Sequence, residues 1–180
     1  MTTMKPRMIV VEGPTGCGKT TLIEGLLKEG LATHVYHMPR PPAEIIRSPW
    51  QMETHYAAPT RDTGDVLLDR WVYSNMAYSA VFGNQARCAP WNLERWAEDG
   101  HRVLVVFLTA DPSELFLRIR RRGEARLPEG VEKIENLTKL VAEYGDIEAN
   151  CALPKVGCRT DGDSSPQATL AAVLKRLRAN

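Results

Sequence analysis

Short runs of aliphatic and β-branched residues recur along the chain at 7–12, 33–37, 65–69, 102–108 and 155–160. Between them lie longer stretches whose apolar positions follow a helical period. Strands alternating with helices in this way predict βαβ units and a parallel sheet. MIVV and VLVVF, in the first and fourth runs, are continuously apolar, as strands covered by helices on both faces must be, so these two are predicted to be central. Helices are predicted over 18–29, 42–57, 71–82, 90–99, 112–122, 131–149 and 166–178. Some of their ends are legible. Asp111, Pro112 and Glu114 make a cap, a first-turn proline and an early acid ahead of Leu115, Phe116 and Ile119. Gly30, Gly83, Gly100 and Gly123 stand where helical patterns give out. The implied architecture is a three-layer α/β/α sandwich around a five-stranded parallel sheet, a single domain over residues 1–180 without repeats or linkers. Ligands of such sheets gather at the carboxyl ends of the strands, so the residues that follow each strand are the first candidates for a site.

The first strand leads through Val10, Val11 and Glu12 into GPTGCGKT (13–20) and then the helical stretch TLIEGLLKE, matching GxxxxGK[ST] in its strand, loop and helix context. Gly13, Gly16 and Gly18 let the main chain curl so that N–H groups point inward at phosphate oxygens, and the helix N-terminus adds partial positive charge. Lys19 brings a full charge for the β and γ phosphates and Thr20 a hydroxyl for magnesium; Thr15, Cys17 and Thr21 complete the candidate nucleotide-binding set. The ligands expected here are ATP and Mg2+. A phosphate loop alone does not separate kinases from ATPases, GTPases or motors, so a second site has to decide.

LLDRWVYSNMAYSAVFG (67–83) supplies a candidate. Asp69 and Arg70 stand at the end of the third strand, and Ser74, Asn75 and Tyr78 follow Arg70 at offsets of 4, 5 and 8, read as one polar helix side turned back to the strand ends. Arginine can clamp a phosphate through two N–H groups, aspartate can hold a magnesium water or orient that arginine, and asparagine can read a base edge. Alignment and charge neutralisation are what phosphoryl transfer asks of a protein. The plainer alternative is a strand end capped by Asp69, with Arg70 in a surface ion pair and Tyr78 in the core. Further on, FLRIRRRGEARLPEG (116–130) crowds Arg118, Arg120, Arg121, Arg122 and Arg126 at the end of an amphipathic helix. A helix dipole accounts for one or two of these charges, and an anionic visitor for the rest.

DRWVYSNMAYS resembles the DR[YF]xxSxxAY signature of the thymidylate kinases, a family of P-loop nucleoside monophosphate kinases. The resemblance implies that Asp69 lies near magnesium, that Arg70 meets the acceptor phosphate, that Asn75 faces the thymine edge beside Ser74, and that Tyr78 fills the space a 2′-hydroxyl would need. HMPRPPAEIIR (37–47) is similar to the family's segment after the second strand and carries over Arg40 to the acceptor. The arginine segment resembles the family's short lid, about 118–130, with Arg118 and Arg122 fitting the start of RxxxRGxxDR and, one residue short of its spacing, Ala125 and Arg126 standing for its Asp and final Arg. On this basis Lys19, Asp69, Arg70, Arg122 and Arg126 are the expected catalytic set, Arg118 joins the ATP site, and Thr20 and Asp69 hold the metal. Two departures stand out. Thr15 occupies a loop position where many members have a carboxylate, and the region between the proline-rich bend and Asp69 is short, leaving Tyr56 and Arg61 as stand-ins for a base-stacking aromatic and a base-reading arginine. The function implied is ATP-dependent phosphorylation of a deoxynucleoside monophosphate, dTMP first, for dTTP synthesis. A modified thymidylate, a deoxynucleoside or a base in DNA is the alternative acceptor, and a nucleotide-binding switch or ATPase is the rival from another class.

Charge and cysteine content narrow the partners. With 23 basic and 22 acidic residues the net charge is +1, which argues against nucleic acid and anionic membranes as partners. Cys17, Cys88, Cys151 and Cys158 lack the spacing of a metal knuckle and read as free thiols of a reducing cytoplasm; His34, His37, His55 and His101 share no spacing with them. No run is long and apolar enough for a membrane span, and no signal peptide is legible. The family resemblance implies a homodimer.

Overall fold

The computed structural model of the chain describes residues 4–38, 41–42, 44–83, 86–123, 130–131, 133–162 and 164–179. Five strands, β1 (Arg7–Glu12), β2 (His34–His37), β3 (Val66–Asp69), β4 (Arg102–Thr109) and β5 (Lys155–Arg159), fall within a residue of the predicted runs. All neighbours pair parallel in the order β2-β3-β1-β4-β5, so the two fully apolar runs are inner strands as their composition requires. The helices are α1 (Lys19–Lys28), α2 (Pro49–Ala57), α3 (Val72–Phe82), α4 (Trp91–Gly100), α5 (Pro112–Arg122), α6 (Ile134–Asn150) and α7 (Pro166–Ala179), with a 3-10 turn at Ala58–Arg61.

Strand side chains alternate between faces. Met8, Val10, Val66, Leu68, Val105 and Phe107 join α2, α3, α4 and most of α6 in one core, while Ile9, Val11, Leu67, Leu104, Val106 and Leu108 join α1, α5 and α7 in the other. This is the predicted three-layer sandwich. The chain lays β2 and β3 on one side of β1 and then crosses to β4 on the other, so the end of β1 opens into the crevice where such sheets bind ligands.

Two helix boundaries have clear causes. The helix expected over 42–57 begins only at Pro49, because a proline in mid-helix would clash with the carbonyl four residues back and supply no N–H. Ser48 instead caps a new start, accepting from Gln51 N at 3.4 Å. At α5 the expected cap is present, with Asp111 accepting from Ser113 N at 2.8 Å and Gly123 closing the helix in the left-handed region. The four cysteines are unpaired and buried. No described helix is long and apolar enough to cross a membrane.

Candidate active site

The loop between β1 and α1 curls through three glycines at positive φ, with Gly13 at 141°, Gly16 at 87° and Gly18 at 88°. Gly13 is irreplaceable on space as well as torsion, since a Cβ there would lie 2.2 Å from the carbonyl oxygen of Leu108 on β4. Inside the curl sits Lys19, 8% exposed, its Nζ donating to the carbonyls of Gly13 at 3.0 Å and Pro14 at 2.9 Å. No side chain caps the start of α1, which leaves its first N–H groups to a ligand, and Thr20 and Thr21 are exposed beside it.

Across from the loop, Arg70 is the only non-glycine among the described residues at positive φ, at 70°. An arginine held in the left-handed region costs on the order of 1–3 kcal/mol and persists only where its surroundings over-determine it. They do so here. Its backbone N–H donates to Val11 O on β1 at 3.0 Å. One guanidinium nitrogen donates to Gly13 O at 3.3 Å, Ser74 Oγ at 3.1 Å and the Tyr144 hydroxyl at 3.5 Å, and the other to Thr15 Oγ1 at 3.4 Å. The same group lies 5.3 Å from the centre of the Tyr78 ring, whose hydroxyl bonds Thr15 Oγ1 at 2.9 Å. Burial pushes the Tyr78 phenol up, but the Arg70 and Lys19 charges and the Thr15 hydrogen bond outweigh it, leaving the phenol below its ordinary value.

Glu12 holds this turn, and sequence reasoning assigned it no role. Its carboxylate, 0% exposed, accepts from the N–H groups of Trp71 at 2.6 Å and Ser74 at 3.2 Å, and from Ser74 Oγ at 2.6 Å. Since Trp71, the cap residue of α3, provides no side-chain cap, an acid from another strand satisfies the helix start instead. Burial raises the Glu12 pKa to about 6, while the Ser74 hydroxyl, the Arg70 charge and the two N–H groups act against the rise. Tyr144 of α6 closes the cluster by bonding Ser74 Oγ at 2.9 Å; its phenol is held well above the ordinary value by burial and then by Glu12. One signal was available for Glu12: an acid at the end of a fully apolar inner strand must find partners.

Between loop and turn lies a cavity of about 150 Å³ lined by Thr15, Lys19, Thr20, Asp69, Arg70 and Arg122, among others. Asp69 keeps one carboxylate oxygen 3.3 Å from His37 Nδ1, while the other is buried without a hydrogen-bond partner. Asp69 and Thr20 both line this cavity, and their oxygens are hard ligands, a set that fits Mg2+ completed by phosphate oxygens and water. Among the described residues no cluster of three His, Cys, Asp or Glu side chains suits a metal, so the protein's share would rest on these two.

A larger cavity, about 260 Å³, opens on the other side of the loop, toward α5 and the β5–α7 connection. Arg118 spans its wall, donating to Glu114 Oε1 at 2.9 Å, Gly16 O at 3.4 Å and both oxygens of Thr160. Arg122 lines both cavities, whereas Arg120 packs over the Phe116 ring. Arg40 and Arg126 lie outside the described residues, as does the lid segment 124–129.

Three expectations change. Asn75 does not share a side with Ser74 and Tyr78; one residue on from Ser74 it points about 100° around the helix. There its Nδ2 donates to Ala86 O at 3.0 Å and its Oδ1 accepts from Cys88 N at 2.8 Å, so the amide pins the chain after α3 instead of facing the cavity. Tyr56 is a core residue, 4% exposed, with its carbonyl accepting from Trp71 Nε1. Arg61 is exposed in the turn that feeds the start of β3, at the end of the sheet opposite the phosphate loop, and cannot read a base there.

No family model matches the chain, and no curated protein matches it in sequence. Solved structures do. YorR from Bacillus subtilis, in complex with phosphorylated GDP, superposes with a TM-score of 0.73 at 26% identity, covering 95% of each chain. Deoxyadenosine kinase from M. mycoides is similar in fold at 15% identity: with dCMP and dCDP bound the TM-score is 0.62 over 96% of this chain and 98% of that one. With dCTP bound it is 0.61 over 96% and 100%. The fold they share with this chain is the P-loop nucleotide-kinase fold, a parallel five-stranded sheet between helices.

Proposed function

We propose that the chain is a phosphotransferase that uses ATP with Mg2+ to phosphorylate a deoxynucleoside monophosphate, dTMP being the first candidate, as a step of dTTP synthesis. The observation that carries this reading is the Arg70 guanidinium, held in a strained turn against the glycine loop and lining, together with Lys19, the cavity beside them. A switch or simple ATPase needs no second cationic group so placed. The nucleotide in YorR, at 26% identity, is in keeping with it.

In this reading the loop N–H groups and Lys19 hold the donor's β and γ phosphates, which requires Lys19 to leave the carbonyls of Gly13 and Pro14. Arg70 holds the acceptor phosphate in line, and Arg122, beside both cavities, neutralises charge as the phosphoryl group moves. Thr20 and Asp69 would hold Mg2+, which when bound supplies positive charge to the phosphate oxygens. Arg118 braces the loop against the β5–α7 connection. Arg40 and Arg126 are assigned, by the family resemblance alone, to the acceptor phosphate and the lid.

The commitment of Asn75 to Ala86 and Cys88 favours a second reading of the acceptor: a modified thymidylate, a deoxynucleoside or a base in DNA, whose identity is not read by that amide. Both readings are tested by ADP release from ATP against a panel of dTMP, the other deoxynucleoside monophosphates, thymidine and an oligonucleotide. A dTMP-dependent rate far above the acceptor-free rate is expected. ATP hydrolysis indifferent to every acceptor would instead make the chain an ATPase or switch.

A further inference from the structure

We propose that the Thr15 hydroxyl is a hydrogen-bond donor to the acceptor's phosphate and that Tyr78 fixes the direction in which it donates; this rests on the phosphotransferase reading above. Thr15 stands in the glycine loop and lines the cavity of about 150 Å³ together with Lys19, Arg70 and Arg122. Among the described residues its Oγ1 has two hydrogen-bond partners, the Tyr78 hydroxyl at 2.9 Å and Arg70 Nη2 at 3.4 Å. A threonine hydroxyl owns two lone pairs and one proton, and arginine can only donate, so Arg70 takes one lone pair. Of the two hydroxyls the phenol is the stronger acid and hence the better donor, the more so with the Arg70 guanidinium 5.3 Å from its ring centre. Tyr78 therefore fills the second lone pair. The Thr15 proton is left pointing away from both partners.

Where an anion meets Arg70 decides what that proton serves. Nη1 has two N–H groups and three acceptors around it, Ser74 Oγ at 3.1 Å, Gly13 O at 3.3 Å and the Tyr144 hydroxyl at 3.5 Å, so it is fully engaged with the protein. Nη2 also has two N–H groups and spends one of them on Thr15. A phosphate held by Arg70 therefore arrives on the Nη2 side, next to Thr15 Oγ1. A hydroxyl with a lone pair to spare would turn to suit a donor or an acceptor there, whereas one with both lone pairs filled can only donate, which is what an anionic phosphate oxygen requires. Aimed beforehand, it needs no reorientation when charge arrives. The Tyr78 ring is itself held, packing against Phe82 with ring centres 5.8 Å apart. Tyr78 is thus a positioning residue, acting on the acceptor through Thr15.

The test is a double-mutant cycle read in steady-state transfer from ATP with Mg2+ to dTMP, with the affinity of each variant for a non-hydrolysable ATP analogue measured by calorimetry. Thr15→Val keeps the shape and loses the proton, so kcat/KM for dTMP should fall about ten- to a hundredfold, the scale of one hydrogen bond to a charged group, while the analogue's Kd moves by less than about threefold. Thr15→Ser should recover most of that loss. Tyr78→Phe keeps the ring beside Arg70 and the bond from Arg70 to Thr15; it should cost about three- to tenfold in the native background, the scale of one neutral hydrogen bond. In the Thr15→Val background it should cost nothing further, because no proton is left to aim. Additive losses, a larger loss for Tyr78→Phe than for Thr15→Val, or a Thr15→Val variant as active as the native chain would overturn the inference and leave the phosphotransferase reading standing. Lost analogue binding in Thr15→Val would also overturn it, by assigning the residue to the donor site. A native chain that transfers nothing to dTMP would remove both the inference and the dTMP reading.

Discussion

Replacing Glu12 by glutamine keeps the shape of the side chain and removes its charge, which separates the stability of the strained turn from its electrostatics. The native carboxyl rises from 4.5 to about 6 because burial disfavours the anion by more than Ser74, Arg70 and two N–H groups restore. A rise of that size amounts to about 2 kcal/mol against the ionised form. The sign follows from proton counting: between roughly pH 4.5 and 6 the folded state binds more protons than the unfolded state, so the stabilising contribution is complete below that window and lost as pH climbs through it. Glu12→Gln has no such titration. Its carbonyl can still accept from Trp71 N and Ser74 N, so at pH 7 the variant should melt about 4–8 °C above the native protein, with the gap closing toward pH 4.5. Phosphoryl transfer should fall at the same time, because Arg70 loses the buried anion that faces it. Melting curves of both proteins from pH 4.5 to 8, with turnover at pH 7.5, provide the check. Other titrating groups are common to the two proteins and cancel in the difference. A melting difference that stays constant with pH, or widens toward acid, would refute the reasoning.

Arg70→Ala should lower the transfer rate by on the order of a hundredfold or more, the scale of losing one preorganised charge-stabilising group, while ATP affinity measured by calorimetry changes little; lost ATP binding would assign the guanidinium to the donor instead. Asn75→Ala removes two hydrogen bonds to the chain after α3 and should cost about 1–3 kcal/mol in denaturant unfolding without altering the order of preferred acceptor bases. A changed base preference would return that residue to the recognition site. His101 is buried with both ring nitrogens unpartnered, and burial holds its pKa below the ordinary value. The unfolded state therefore binds the extra proton first, and stability is lost as pH falls below about 6.5. In His101→Leu that acid slope should flatten in melting curves, and an unchanged slope would assign it to another group.

The phosphate loop, the five strands and the capped start of α5 were readable because each rests on local rules: a glycine pattern with its flanking strand and helix, runs of β-branched residues, and a cap followed by proline. Arg70 was readable for the same reason, standing at a strand end beside a recognisable signature. The sequence also shows that Glu12 precedes the loop, but not that it meets Tyr144 of α6. Glu12 reaches Ser74 across 62 positions and Tyr144 across 132, and only the packing of α3 and α6 against β1 brings them together. Asn75 went the other way. Its signature position suggested the acceptor, whereas its direction was decided by a rotation of about 100° per residue and by the unpaired backbone groups of Ala86 and Cys88 waiting on that side. Local pattern determines which groups a chain owns; which of them remain free for a ligand depends on the hydrogen bonds that burial compels them to make with distant parts of the same chain.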